Sequence, residues 1–536
     1  MPAAVLCQLD HLVAADNALF GFGWAVPRES RISAAWLDLE FTAAPGRRVA
    51  VSIDRPREDV AAAFPDNPAA AQAGFMLLAG WPGEAPIAAT LTFETVGGDR
   101  ETVPLDLPAP ETPRRTAGVG WRYLFSRGWA HLRLGRVRTA LRKYRELRHR
   151  TRSLVRSLPG GDLRSAIGSR PVTLVVDHAM GGGANAYRNR LLADLAAAKT
   201  TVLLLTFTVS SLSPSLELHA PNQPPRAARC PSLTAVLDLM RTARLTSVIY
   251  NCGVSFPRGL ELCGLLEQLA GGPATRLEVV IHDYYLVCPS AFLLDDGGGF
   301  CGVPDRTRCR ECLPRQTDGF VAVAGCDSID LWRSAWGRLL GRAATIRCFS
   351  DSSRRLLARA YPDLDPRITV KPHDVPPLPH VDRRPRKPGE PLVIGVIGSI
   401  SRHKGAEVVA DLAQAITATG QPVRIVVIGQ VDAACPAEVV HQTGHYTRED
   451  LPRLVTRHAI DLVLLPSICP ETFSFVAHET LAMGLPLVTL DLGAPADLAR
   501  AHPLGHVARD ASGPALLADL LAFADSLAVA PQAASA

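Results

Sequence analysis

The chain has 536 residues, 47% of them apolar and 20% charged. That is enough for three or four domains with buried cores, and it excludes wholesale disorder. Its longest apolar runs, such as "TVLLLTF" and "PLVIGVIG", fall well short of the about 20 residues that span a bilayer, and its twelve cysteines are mostly scattered singly, as suits reduced thiols in a cytosol. The net charge of +5 hides an asymmetry: residues 114–156 hold fourteen Arg or Lys and one acid, a net +13, so the rest of the chain is at −8.

The N-terminus, "MPAAVLCQLDHL", has no basic region ahead of an apolar stretch, so no signal peptide is expected. Residues 1–110 read as an all-β accessory domain. "RVAVSID" and "ATLTFETV" alternate apolar and polar residues between Pro/Gly-rich turns, which predicts a small β-sandwich. It holds no catalytic constellation. A packing or interaction module is the plainer role. A carbohydrate-binding module is the sharper one, with Trp24, Trp36 or Trp81 as stacking candidates or as core.

Residues 111–168 form a basic linker with apolar residues at helical spacing, from Trp121 and Phe125 to Leu154 and Leu158, and arginine on the other faces. Two roles fit. The segment is a solvated spacer docked on a neighbouring domain, or its residues 114–158 lie on an anionic membrane surface. In the second case each basic residue near the surface contributes about 1 kcal/mol. No nucleic-acid-binding motif accompanies the charge, so nucleic acid is not expected as a partner.

From residue 169 short apolar runs alternate with helical stretches. One series is "VTLVVD", "TVLLLTF", "SVIYN", "LEVVIHD" and "TIRCFS". A second is "LVIGVIG", "VRIVVIG", "DLVLLPS" and "LPLVTLD". This pattern predicts an α/β class with two doubly wound, Rossmann-like domains of parallel strands, at 169–378 and 388–520. The Pro-rich "KPHDVPPLPHVDRRPRKPGEP" marks the boundary, and 521–536 reads as a flexible tail. Such sheets bind ligands outside the carboxyl ends of their strands, so the active site is expected where the two domains face one another.

Candidate residues fall at those strand ends. Gly182 and Gly183 open a helix after the first strand, as a tight turn or as a place for close approach of a ligand. His282 ends the fourth. Gly398, Arg402 and Lys404 lie on the loop after "LVIGVIG", where a cation ahead of a helix can meet a diphosphate. In "PETFSFVAHETLAMGLPLV" a helix is predicted from Ser474 to Met483, stopped by Gly484 and Pro486. Glu471 precedes it and Glu479 lies inside it. Backbone N–H groups around Phe473, Ser474 and Phe475 suit a phosphate, and the two carboxylates suit hydroxyls on either side. An insertion at 288–312 brings Cys288, Cys301, Cys309 and Cys312. The Cys309-Arg-Glu-Cys312 pair has zinc-ligand spacing. A structural zinc, a disulfide pair and separate buried thiols stay open, and a four-thiolate zinc would have no catalytic role.

The block "LVLLPSICPETFSFVAHETLAMGLPLVTLDLGA" resembles the signature of retaining GT-B glycosyltransferases of the family-4 type (glycosyl transferases group 1). "GGGANAYRNRLLADL", "RCFSDSSRRLLARAYP", "GSISRHKG" and "TGHYTREDLPRLV" are similar too, in the family's order, over residues 170–515. The resemblance implies a hexosyltransferase acting from a nucleotide-diphosphate sugar on a glycan or lipid-linked acceptor, in surface polysaccharide biosynthesis. It implies a cytoplasmic enzyme, peripheral on the inner face of the membrane if the basic segment binds lipid. It gives Glu471 the donor sugar, Glu479 the ribose, Lys404 the diphosphate and His282 the side of the sugar. Gly182 and Gly183 would let the diphosphate or acceptor approach. No catalytic metal is expected. Where the family often has Gly-Arg this chain has Gly398-Ser399, so Arg402 is the substitute second cation. Thr480 stands where alanine is common. Other readings are a nucleotide-sugar epimerase and a non-catalytic sugar-nucleotide-binding protein.

Overall fold

The computed structural model describes residues 4–107 and 160–529, apart from 16, 29–30, 56, 82, 231, 273, 383–385 and 388. The basic segment 114–158, with its amphipathic-helix reading, lies outside the described residues. The chain divides into two units. The first comprises residues 1–291, 304–347 and 366–368, and the second 292–303, 348–365 and 369–536.

The first unit begins with the expected sandwich. Its strands are β1 (Val5–Ala15), β2 (Ala18–Pro27), β3 (Ile32–Glu40), β4 (Arg47–Ala50), β5 (Ser52–Arg55), β6 (Gly74–Gly80), β7 (Ala88–Thr95) and β8 (Arg100–Pro104). They form two antiparallel sheets, β1-β2-β6-β5 and β4-β3-β7-β8. Alternation supplies the core: Leu37 and Leu39 of β3 meet Phe75 and Leu77 of β6 and Leu91 and Phe93 of β7. Trp81 is in that core, and Trp24 packs with Phe64. Trp36 is half-buried and carries the Arg48 and Arg100 guanidinium groups over its ring, at 4.9 and 5.6 Å.

Within this unit the sandwich packs directly on the α/β part. Ala322 joins the sandwich core. Gly80 and Gly319 permit the approach: a Cβ on Gly80 would lie 2.6 Å from the Val323 Cα, and one on Gly319 2.3 Å from the Leu78 carbonyl oxygen.

The α/β part of the first unit has an eight-stranded sheet in the order β12-β11-β10-β9-β13-β14-β15-β16. The strands are β9 (Pro171–His178), β10 (Thr201–Thr208), β11 (Ser213–His219), β12 (Arg226–Arg229), β13 (Arg244–Tyr250), β14 (Arg276–Val280), β15 (Thr345–Cys348) and β16 (Ile368–Val370). All five predicted runs are strands. The expectation of a wholly parallel sheet is corrected at one edge, where β11 runs antiparallel to β10 and β12 antiparallel to β11. This hairpin needs no crossover helix, so it adds strands without the α/β alternation.

The second unit's sheet is parallel throughout, in the order β19-β18-β17-β20-β21-β22. Its strands are β17 (Leu392–Ile400), β18 (Val423–Val431), β19 (Val440–Gln442), β20 (Leu462–Leu465), β21 (Leu487–Leu490) and β22 (Gly505–Ala508). Every β20 and β21 residue is buried, as expected of a sheet covered on both faces. Three boundaries move. The flexible tail expected from residue 521 is helix as far as Val529, because Leu516, Leu517, Leu520 and Ala524 recur at helical spacing and are buried in the core. Residues 348–365, placed in the first domain by the sequence, belong to the second unit, as do 292–303 of the cysteine-bearing insertion. The Pro-rich boundary segment packs on the second unit through Leu378 and Val381.

Candidate active site

In the second unit the strand order reverses between β17 and β20, and the loops leaving those two strands carry the predicted residues. Such a switch point is where doubly wound sheets bind ligands. The loop after β17 turns at Arg402–Lys404 and ends at Gly405, with φ 85°. Glycine is needed there twice over, for the left-handed φ and because a Cβ would lie 2.0 Å from the Pro466 carbonyl oxygen on the loop after β20. The Ile468 N–H donates to the His403 carbonyl over 3.1 Å, tying the two loops together. The His403 ring stacks on Phe292 at 3.8 Å, and burial, then Lys404, push its pKa down to about 3. It is therefore neutral, and the loop's charge is carried by Lys404 and by Arg402, which is exposed and 3.8 Å from Glu407. Gly298 lies against Arg402, where a Cβ would be 2.6 Å from Nη2. Gly398, with φ 127°, lies within β17, two residues before its end and not on the loop after it, paired with Gly429, whose Cβ position falls 2.0 Å from the Gly398 carbonyl oxygen.

The loop after β20 presents Glu471. The Ser467 hydroxyl donates to its Oε1, and its carbonyl accepts from the Ala494 N–H over 3.0 Å. Gly493, with φ 65°, permits that contact: a Cβ there would lie 2.7 Å from the Glu471 backbone. Burial and Glu471 push the Cys469 thiol pKa up while Lys404 pulls it down, so both ionic side chains act on one buried group. The predicted helix is Phe475–Ala482, with Ser474 as its N-cap, accepting from the Ala477 N–H over 3.4 Å. Phe473 and Phe475 turn their rings toward His373, at 4.8 and 5.1 Å, and Phe473 stacks on His478 at 4.5 Å. What this stretch offers a ligand is thus its backbone and the positive end of the helix dipole.

Glu479 is not a surface residue. It is 6% exposed and pairs with Arg448, Nε to Oε1, over 2.6 Å. Burial raises its pKa, against the opposing pull of Arg448 and with a smaller push from Glu449. Thr480 is fully buried, and its hydroxyl has no hydrogen-bond partner among the described residues.

In the first unit the order reverses at β9, between β10 and β13, and a polar network that sequence reasoning missed sits there. Asp177 is 0% exposed and pairs with Arg188 over 3.1 Å. Asn185 donates to the Asp177 carboxylate and the His178 carbonyl, each at 2.8 Å, and accepts from the Gly181 N–H over 2.6 Å. This network shapes the glycine loop, where Gly181 and Gly182 have φ 90° and 79° and Gly182 opens the helix Gly182–Ala197, with Gly183 next. His282 Nε2 lies 3.0 Å from the Asn251 Oδ1, and its ring meets Tyr187 edge-on at 5.1 Å. The signal was the Asn185/Arg188 spacing on one face of the helix that follows Asp177.

Among the described residues, ligand atoms of Asp177, His178 and Cys252 lie within 4.8 Å of one another. They do not form a metal site. Arg188 and Asn185 already occupy Asp177, and the Met180 N–H donates to His178 Nδ1 over 3.1 Å, the nitrogen that must carry the proton if Nε2 is to bind a metal. Of the four cysteines proposed for zinc, Cys288, Cys309 and Cys312 lie in the first unit and Cys301 in the second. Cys288 and Cys309 pack with Leu313, Val321 and Ile329, and Arg333 Nη2 donates to the Cys309 Sγ over 3.6 Å.

Both α/β sheets are thus of the doubly wound, Rossmann-like type, and the second carries a cation loop and a carboxylate pair at its switch point. Residues 391–526 match the family described as Glycosyl transferases group 1, so this stretch is similar to a group 1 glycosyltransferase domain. The chain is 28% identical over 302 residues to a GDP-mannose-dependent alpha-mannosyltransferase of Mycobacterium tuberculosis (strain CDC 1551 / Oshkosh), covering 53% of this chain and 73% of the relative. Among solved structures it is similar to HepE of Anabaena in complex with UDP-glucose, at 15% identity, covering 67% and 94% of the two chains with a TM-score of 0.40. A glycosyltransferase of Rickettsia africae ESF-5 aligns at 12% identity over 67% and 89%, also at 0.40. No helix among the described residues is long and apolar enough to cross a membrane.

Proposed function

We propose that the protein transfers a hexose from a nucleoside-diphosphate sugar to a glycan or lipid-linked acceptor, with retention at the anomeric carbon, in the synthesis of a surface polysaccharide. The observation that carries the donor part is the meeting of the Lys404 loop and the Glu471 loop at the carboxyl ends of β17 and β20, with Glu479 on the helix that follows. In the reaction the bond from C1 to the diphosphate oxygen breaks. The acceptor oxygen bonds to C1 from the same face, and its proton passes to the departing diphosphate. Lys404 and the N-terminus of the helix Phe475–Ala482 offset the charge growing on that diphosphate. Glu471 accepts a hydrogen bond from the donor sugar and Glu479 from the ribose. Arg402 is the second cation. His282, Gly182 and Gly183 take their sugar and acceptor roles from the resemblance alone. No metal enters these steps. A cytoplasmic location, with residues 114–158 on an anionic membrane, completes the proposal.

The test is incubation of the full-length protein with a panel of nucleotide sugars, GDP-mannose first because of the mannosyltransferase relative. Release of the nucleoside diphosphate, and transfer when an acceptor is present, are expected. A donor returned with an altered sugar would indicate an epimerase instead, and binding without turnover a sugar-nucleotide-binding protein. For the cysteines the proposal is structural zinc. Metal analysis of protein purified without a histidine tag is expected to find it in stoichiometric amount, and zinc-free protein with every thiol titratable would end that idea.

A further inference from the structure

Arg448 lies in the stretch "TGHYTREDLPRLV", none of whose residues has a role in the donor site above, yet its placement is tightly determined. It opens a turn fixed by a capping box between Thr447 and Asp450, and Asp450 in turn pairs with Arg453 over 3.1 Å. From there its Nε reaches the Glu479 Oε1 over 2.6 Å while Nη2 donates to the Pro376 carbonyl. A guanidinium can make both bonds at once because its donors form a rigid fork; an ammonium would have to choose. Among the described residues no donor engages the other Glu479 oxygen, Oε2. The charged or titratable groups that act on Glu479 are Arg448 and Glu449 on this turn and Tyr446 just before it.

We propose that Arg448 is a positioning residue for the donor: it clamps Glu479 through Oε1 and presents Oε2 to a ribose hydroxyl of a nucleoside diphosphate. This rests on the reading of Glu479 as the ribose ligand. The clamp has a second effect. A buried carboxylate without a cation is costly and takes up a proton instead. Arg448 thus keeps Glu479 an acceptor at neutral pH. Without it the Glu479 pKa, already raised by burial, climbs further, and acceptor capacity is lost as pH falls through that higher value.

The experiment is calorimetric titration of the full-length protein with GDP and with UDP from pH 6 to 9, for wild type, Arg448→Met, Arg448→Lys and Glu479→Gln. Loss of a charge-assisted hydrogen bond is expected to weaken Arg448→Met binding about tenfold or more at pH 7. The deficit should widen toward pH 6 and narrow toward pH 9. Arg448→Lys, which keeps the charge but not the fork, should fall between it and wild type, and it serves as the test if the methionine variant does not unfold cooperatively. In turnover assays the loss should fall on the donor KM rather than kcat. Arg448 variants that bind as wild type at every pH, beside a weakened Glu479→Gln, would overturn this proposal and leave the reading of Glu479 standing. Wild-type binding by Glu479→Gln would overturn that reading itself.

Discussion

Glu471→Gln is expected to lower turnover by about 100-fold or more while leaving the fold intact, the scale on which a single group aimed at the reacting centre acts. The substitution changes charge and barely changes shape. The Ser467 hydroxyl can still donate to the amide oxygen, and the backbone contacts that Gly493 allows are untouched. What is lost is the ionic acceptor. A carboxylate makes hydrogen bonds roughly twice as strong as a neutral amide does. Positive charge develops at C1 as the bond to the diphosphate stretches, so the loss should appear mainly in kcat. Steady-state kinetics beside a thermal unfolding curve give the comparison. A well-folded variant turning over at the wild-type rate would remove Glu471 from the chemistry.

Lys404→Met should cost about 100-fold or more in kcat/KM, because it takes away the cation closest to the departing diphosphate in this account. His403 cannot substitute, since burial holds it neutral with a pKa of about 3. Arg402 is exposed and lies within 3.8 Å of Glu407, so Arg402→Met should have a much smaller effect. The loop itself should survive, because its course is set by Gly405 and by the hydrogen bond from Ile468 to His403. The order of the two effects is itself diagnostic. A larger loss from Arg402 than from Lys404 would exchange their roles, and no loss from either would place the diphosphate elsewhere.

Much of this site was legible in the sequence because it is local. The glutamates are eight positions apart, the helix that holds the second is bounded by Ser474 and Gly484, and strand β20 shortly precedes the first. Both α/β sheets were readable as apolar runs for the same reason. The hairpin β11–β12 carried a visible signal, the alternation in "SPSLELH", but it lacks the continuous apolar run that marked its neighbours. Arg448 was not legible. It meets Glu479 across 31 positions of sequence, and "TRED" alone reads as an ordinary charged helix start. The network of Asp177, Asn185 and Arg188 was missed because the glycines between drew the reading toward backbone rather than side chains. Composition also could not say which unit the glycine-rich segment 292–303 joins. Packing of Phe292 on His403 and of Gly298 on Arg402 decides it.

A structure of the protein with an intact nucleoside-diphosphate sugar bound is the most direct measurement. The diphosphate should rest on Lys404 and the N-terminus of the helix Phe475–Ala482, the sugar against Glu471 and the ribose against Glu479. A donor seated away from β17 and β20, with neither glutamate touching it, would contradict the account.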